Sequence, residues 1–144
     1  MNVYADTGLL ISLYGQDANS GSALSLTRRH RPAFLLTGFG EAEFANACRL
    51  CVFRRQWTSS EARLVSETFR SDVHAGVFRW EDMPAQVWTL ADTLSERYAA
   101  ALGTRMLDVL HVALALLLKP EAFCSLDQRQ RKLARAAGLR VLPA

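Results

Sequence analysis

The stretch Val3-Tyr4-Ala5-Asp6-Thr7-Gly8-Leu9-Leu10, close to the N-terminus, decides the fold. Val3-Tyr4-Ala5 is a short apolar run with the β-branched and aromatic character of a buried strand. Leu9, Leu10, Leu13 and Tyr14 then fall at helical spacing. Asp6 stands between the two. An ionised carboxylate at the end of an apolar run costs several kcal/mol unless something compensates it. Three more acids raise the same question. Glu43 lies in Phe39-Gly40-Glu41-Ala42-Glu43-Phe44-Ala45-Asn46, Asp108 in Met106-Leu107-Asp108-Val109-Leu110, and Asp127 closes Phe123-Cys124-Ser125-Leu126. No Lys or Arg is set beside Asp6 or Asp127 as a local salt bridge requires. A hard divalent cation, Mg²⁺ or Mn²⁺, prefers carboxylate oxygen and water, and one ion can neutralise several acids at once.

Working outward, the pattern of strand then helix repeats along the chain. Short runs at 3–5, 33–37, 77–80, 122–125 and 140–142 read as strands. Between them, Ala23, Leu24 and Leu26 belong to a second helix, and Glu43 to Phe53 carries Phe44, Ala47, Cys48 and Cys51 on one stripe. Ser59 or Ser60 caps a helix to about His74, with Ala62, Val65 and Phe69 inward. Pro84 suits the first turn of a helix through Val87, Leu90, Ala91, Leu94 and Tyr98. Gly138 stops a last helix over 128–137. Strands alternating with helices predict an α/β sandwich with a mainly parallel sheet, in one domain spanning 1–144. In such sheets ligands gather at the carboxyl ends of the strands, which is where Asp6 and Asp127 fall. Asp108, near the start of its helix, gains from the helix dipole.

Composition narrows the function. No charged segment precedes an apolar one at the N-terminus, and the run from Val109 to Leu118 is far short of the ~20 residues of a membrane span. The expectation is a cytoplasmic protein with no membrane partner. Three cysteines are an odd count, against a disulfide framework, and Cys48-x-x-Cys51 falls inside a helical pattern, so both read as small core residues. The net charge is +3, and setting the four acids aside leaves ten acids against seventeen bases, nearly all of them Arg. An anionic partner follows, since Arg recognises phosphate in a forked geometry.

Taken together, four segments resemble the PIN domain family, in particular the VapC-like toxins of toxin–antitoxin pairs. They are 3–10; Glu43-Phe44-Ala45-Asn46; Gly103 through Ala113, with Leu107-Asp108-Val109-Leu110-His111; and Ser125-Leu126-Asp127 leading to Ala137-Gly138-Leu139-Arg140-Val141. The resemblance spans essentially the whole chain. It implies a three-layer α/β/α sandwich and a Mg²⁺- or Mn²⁺-dependent ribonuclease. The family's acids map onto Asp6, Glu43, Asp108 and Asp127 as catalytic and metal-binding residues. Thr7 and Ser125 map as nearby hydroxyls that orient a carboxylate or a metal-bound water. It also implies an RNA substrate, an antitoxin partner and a homodimer. Some relatives carry a further acid shortly after the last position, where this chain has Gln128 and Arg129, a departure that bears on a second metal ion.

Each residue has a plainer reading. Asp6 and Asp127 both suit helix N-caps, a role compatible with metal duty through the second carboxylate oxygen. Glu41 lies on a different helix face from Glu43 and reads as solvated. His111, one turn after Asp108, reads as a packing or hydrogen-bonding histidine. Arg105, Arg129 and Arg131 lie close in sequence to the acids and are expected to border an RNA groove, with Arg49, Arg54 and Arg55 lining another part. Two other functions compete. Phosphoryl transfer through an Asp6 nucleophile wants a second acid two residues on, where this chain has Gly8. A catalytically silent RNA- or protein-binding module would keep the fold without the chemistry.

Overall fold

The computed structural model describes residues 1–144. Five strands, β1 (Asn2–Ala5), β2 (Ala33–Leu36), β3 (Arg79–Trp80), β4 (Ala122–Cys124) and β5 (Val141–Leu142), form one sheet in the order β3-β2-β1-β4-β5. Every pairing is parallel, with Val3 opposite Phe34 and Ala5 opposite Cys124. β1 is therefore the central strand, and the residue after it emerges at the middle of the sheet's carboxyl edge.

Strand alternation divides the core in two. Val3, Ala5, Ala122 and Cys124 face one side, against α1 (Thr7–Tyr14), α2 (Ser20–His30), α3 (Gly38–Phe53) and α4 (Ser59–His74). Tyr4, Phe123 and Val141 face the other, against α5 (Val87–Leu102), α6 (Met106–Leu118) and α7 (Gln128–Ala136). Covered on both faces, the strands need no polar side, which is why they read as unbroken apolar runs. The expected α/β/α sandwich is present, and its sheet is wholly parallel.

Several boundaries move for local reasons. α3 starts at Gly38, earlier than its apolar stripe, because Thr37 leaves the strand to cap it and accepts from the Gly40 amide. Thr58, not Ser59 or Ser60, caps α4. Pro84 lies in the turn before α5, where its carbonyl accepts from the Val87 amide. β3 shrinks to two exposed residues at the sheet edge. Gly138 does end the last helix, at a φ of 91° that side chains disfavour. All three cysteines are free and buried, and burial pushes the Cys48 thiol up to about 11, which fits packing and not thiolate chemistry. No helix is long and apolar enough to cross a membrane.

Candidate active site

The site begins where β1 gives way to α1. Asp6 caps α1, with Oδ1 accepting from the Leu9 amide at 2.8 Å, and its own amide donates to the Cys124 carbonyl of β4 at 3.1 Å. The Ser125 hydroxyl, just past the neighbouring strand, donates to Oδ2. Adjacent parallel strands thus deliver an acid and its orienting hydroxyl side by side. Asp6 is buried and makes no ion pair with any Lys or Arg. Burial raises its carboxyl above the ordinary range; the Ser125 and Leu9 hydrogen bonds and the attraction of His111 oppose this, and the charge of Asp127 adds to it.

Asp127 is the N-cap of α7, with Oδ1 accepting from the Gln130 amide at 3.0 Å, while Ser125 Oγ accepts from the Asp127 amide at 3.0 Å. Ser125 therefore links the two acids. Asp6 and Asp127 line one cavity of about 770 Å³ together with Thr7, Asp17, Asn19 and Arg54. Arg54 is its single basic lining residue.

Glu43 joins from α3. Thr7 donates to its Oε1, and His111 Nε2 lies 2.5 Å from the same oxygen. Burial works to raise this carboxyl, but the His111 hydrogen bond and attraction, with the Thr7 hydroxyl, outweigh it and hold it below its usual value. Asp108 arrives differently. Its Oδ2 accepts from the Arg105 amide at 3.2 Å, closing the first turn of α6, and its carbonyl accepts from Gln130 Nε2 at 3.1 Å. Gln130 thereby ties the start of α6 to the start of α7, and its remaining Oε1 is buried without a donor.

Of the four expected acids, the structure brings Asp6 and Asp127 to one cavity. Glu43 is attached to the same strand end through Thr7, and Asp108 to the start of α7 through Gln130. No three His, Cys, Asp or Glu side chains close into a ready-made metal cage. Mg²⁺ rarely needs one: it keeps several waters and takes one or two carboxylates, with substrate phosphate completing its shell. The buried, unpaired charge of Asp6, the second carboxylate beside it and the orphan Gln130 oxygen make a hard-oxygen, donor-poor corner that fits such an ion.

One expected residue departs from its role. Arg131 is buried, and its guanidinium donates to the carbonyls of Ser125 at 2.8 Å and Pro143 at 2.6 Å, so it clamps the C-terminal segment and has no face for an RNA groove. Arg105 and Arg129 are exposed. Glu41 is half-buried rather than fully solvated and makes no hydrogen bond or ion pair. His111 is hydrogen-bonded as expected, but its partner is a site acid; the Asp108-x-x-His111 spacing was the signal. Asp17, in the turn between α1 and α2, carried no pattern that marked it.

The architecture matches solved structures at low identity. VapC20 of Mycobacterium tuberculosis, described as a sarcin–ricin loop cleaving toxin, aligns with a TM-score of 0.69 at 16% identity, covering 95% of this chain and 95% of that one. FitAcB from Neisseria gonorrhoeae aligns with 0.69 at 14%, covering 96% and 95%. VapBC2 from Rickettsia felis, solved on a DNA fragment from its promoter, aligns with 0.61 at 13%, covering 98% and 97%. The chain therefore has the PIN-like fold of these proteins over its full length. No family model matches its sequence, and no curated protein matches it either.

Proposed function

We propose that this protein is a divalent-metal-dependent endoribonuclease of the toxin kind, restrained by an antitoxin. The observation that carries the reading is the pairing of Asp6 and Asp127 across one cavity, with Asp6 buried and no cation of the protein compensating it. Asp6 and Asp127 would hold Mg²⁺ or Mn²⁺, with Glu43 and Asp108 completing the acidic surround. When bound, such an ion lowers the pKa of a water and stabilises charge on a phosphodiester under attack. The chain's own residues prepare the site. Ser125 orients Asp6, Thr7 orients Glu43, and the α1 and α7 N-termini turn their positive ends toward the acids they carry. The net charge of +3 and the exposed Arg105 and Arg129 favour a polyanionic substrate. The toxin role and the antitoxin partner rest on the shared fold, since its relatives include a toxin that cleaves the sarcin–ricin loop and a VapBC2 complex bound to promoter DNA.

The test is cleavage. Purified without a partner, the protein should cut RNA from a panel of total, transfer and ribosomal RNA in Mg²⁺ or Mn²⁺, and stop in EDTA. Asp6→Asn should abolish cutting while staying folded. RNA that stays intact but binds tightly would replace the enzyme with a silent binding module, the reading favoured by the absence of a preformed three-acid cage.

A further inference from the structure

His111 is the buried polar residue of α6, one turn beyond Asp108 and surrounded by Val109, Leu110, Val112 and Ala113. A lone polar ring there must satisfy both nitrogens or cost stability. It satisfies both with residues of the site. Nδ1 lies 2.9 Å from the Tyr4 hydroxyl and Nε2 lies 2.5 Å from Glu43 Oε1, with Thr7 Oγ1 at 3.3 Å. The ring is also gripped by aromatics. Phe39 lies 4.9 Å away between centroids, and Tyr4, itself stacked on Phe123, meets it edge-on at 5.7 Å.

Hydrogen-bond accounting sets the direction. Tyr4 is buried, and its hydroxyl has His111 Nδ1 as its one side-chain partner, so the phenol donates and Nδ1 accepts. The remaining ring proton then sits on Nε2 and points at Glu43. A ring protonated on both nitrogens would leave the Tyr4 proton buried without an acceptor. Glu43 Oε1 thus takes two donors, from His111 and Thr7, while Oε2 takes none and is not sealed from solvent.

We infer that His111 is a positioning residue: oriented by Tyr4, it donates through Nε2 to Oε1 of Glu43 and holds that carboxylate so that Oε2 faces outward for the site. The inference rests on the metal-dependent reading, and it assigns His111 an action on Glu43 and not on substrate. A hydrogen bond to a charged ligand from a fixed imidazole both aims and tunes it, and losing such a partner typically costs about 10- to 100-fold in metal affinity or activity.

Three variants and one spectrum test it. His111→Leu removes the donor at similar bulk, and His111→Gln places an amide N–H near the Nε2 position. Glu43→Gln removes the charge being positioned. Calorimetric Mn²⁺ affinity and steady-state RNA cleavage are measured on each, with circular dichroism to confirm folding. His111→Leu should lose about 10-fold or more in Mn²⁺ affinity and in kcat with KM for RNA little changed, and His111→Gln should recover most of both. Adding His111→Leu to Glu43→Gln should cost little more, because the two act as one unit. In the unmodified protein, imidazole ¹⁵N shifts should show a protonated Nε2 and a bare Nδ1, a readout independent of whether any variant folds. Equal losses in His111→Leu and His111→Gln, or a proton on Nδ1, would overturn the inference. Unchanged affinity and cleavage in Glu43→Gln would instead remove Glu43 from the site and sink the part of the functional reading on which the inference stands.

Discussion

Asp6→Asn should make the protein more stable while it removes the proposed chemistry. The side chain is 6% exposed, its carboxyl is pushed above the ordinary range by burial, and no Lys or Arg pairs with it. Two terms compete. The Leu9 amide and Ser125 hydroxyl bonds to a charged oxygen become bonds to a neutral amide, a loss of roughly 1 kcal/mol each. Relief of the buried charge returns several kcal/mol. The raised carboxyl shows which term wins, so the net gain should be about 1–3 kcal/mol, or roughly 2–10 °C in melting temperature for a chain of this size. The pH dependence has a definite sign. A group whose folded pKa is raised favours folding only while protonated, so wild type carries the penalty at neutral pH. The gap between variant and wild type should shrink as pH falls through the folded Asp6 value and vanish below about 3.9, where the unfolded carboxyl is also protonated. The assay is thermal melting followed by circular dichroism in EDTA, at neutral pH and in steps down to about pH 4. A variant that melts at or below the wild-type temperature at neutral pH would refute the claim that the acid is held uncompensated.

Two further outcomes follow from the arginines. Arg131→Ala strips donors from the buried Ser125 and Pro143 carbonyls and should cost about 2–4 kcal/mol by urea denaturation, whereas Arg129→Ala should stay within about 0.5 kcal/mol; equal effects would contradict the clamp. Arg54→Ala, the one cation lining the acidic cavity, should weaken RNA binding to the inactive Asp6→Asn protein and flatten the log–log salt dependence by about one unit, and an unchanged slope would mean that Arg54 touches no phosphate.

The strand and helix alternation was legible because the sheet is covered on both faces, which forces unbroken apolar runs such as Val3-Tyr4-Ala5. Asp6 and Asp127 were legible for a related reason: each follows a strand and caps the next helix, so local sequence fixes its place. Glu43 and Asp108 come from helices, and what they touch depends on tertiary contacts. Thr7 and His111 reach Glu43 across 36 and 68 residues of chain, and Gln130 reaches Asp108 across 22. No local pattern carries that information. Arg131 misled because its neighbours in sequence are exposed cations on an amphipathic helix, and only the Pro143 carbonyl, supplied by the chain end, draws it inward.

The central claim is that the Asp6–Asp127 corner binds a hard cation, and a calorimetric Mn²⁺ titration of the metal-free protein tests it most directly. Wild type should bind saturably, Asp6→Asn and Asp127→Asn should each lose most of that affinity, and Glu41→Gln, which removes an acid outside the cavity, should retain it. Wild-type affinity in Asp6→Asn, or no binding by the unmodified protein, would contradict the account.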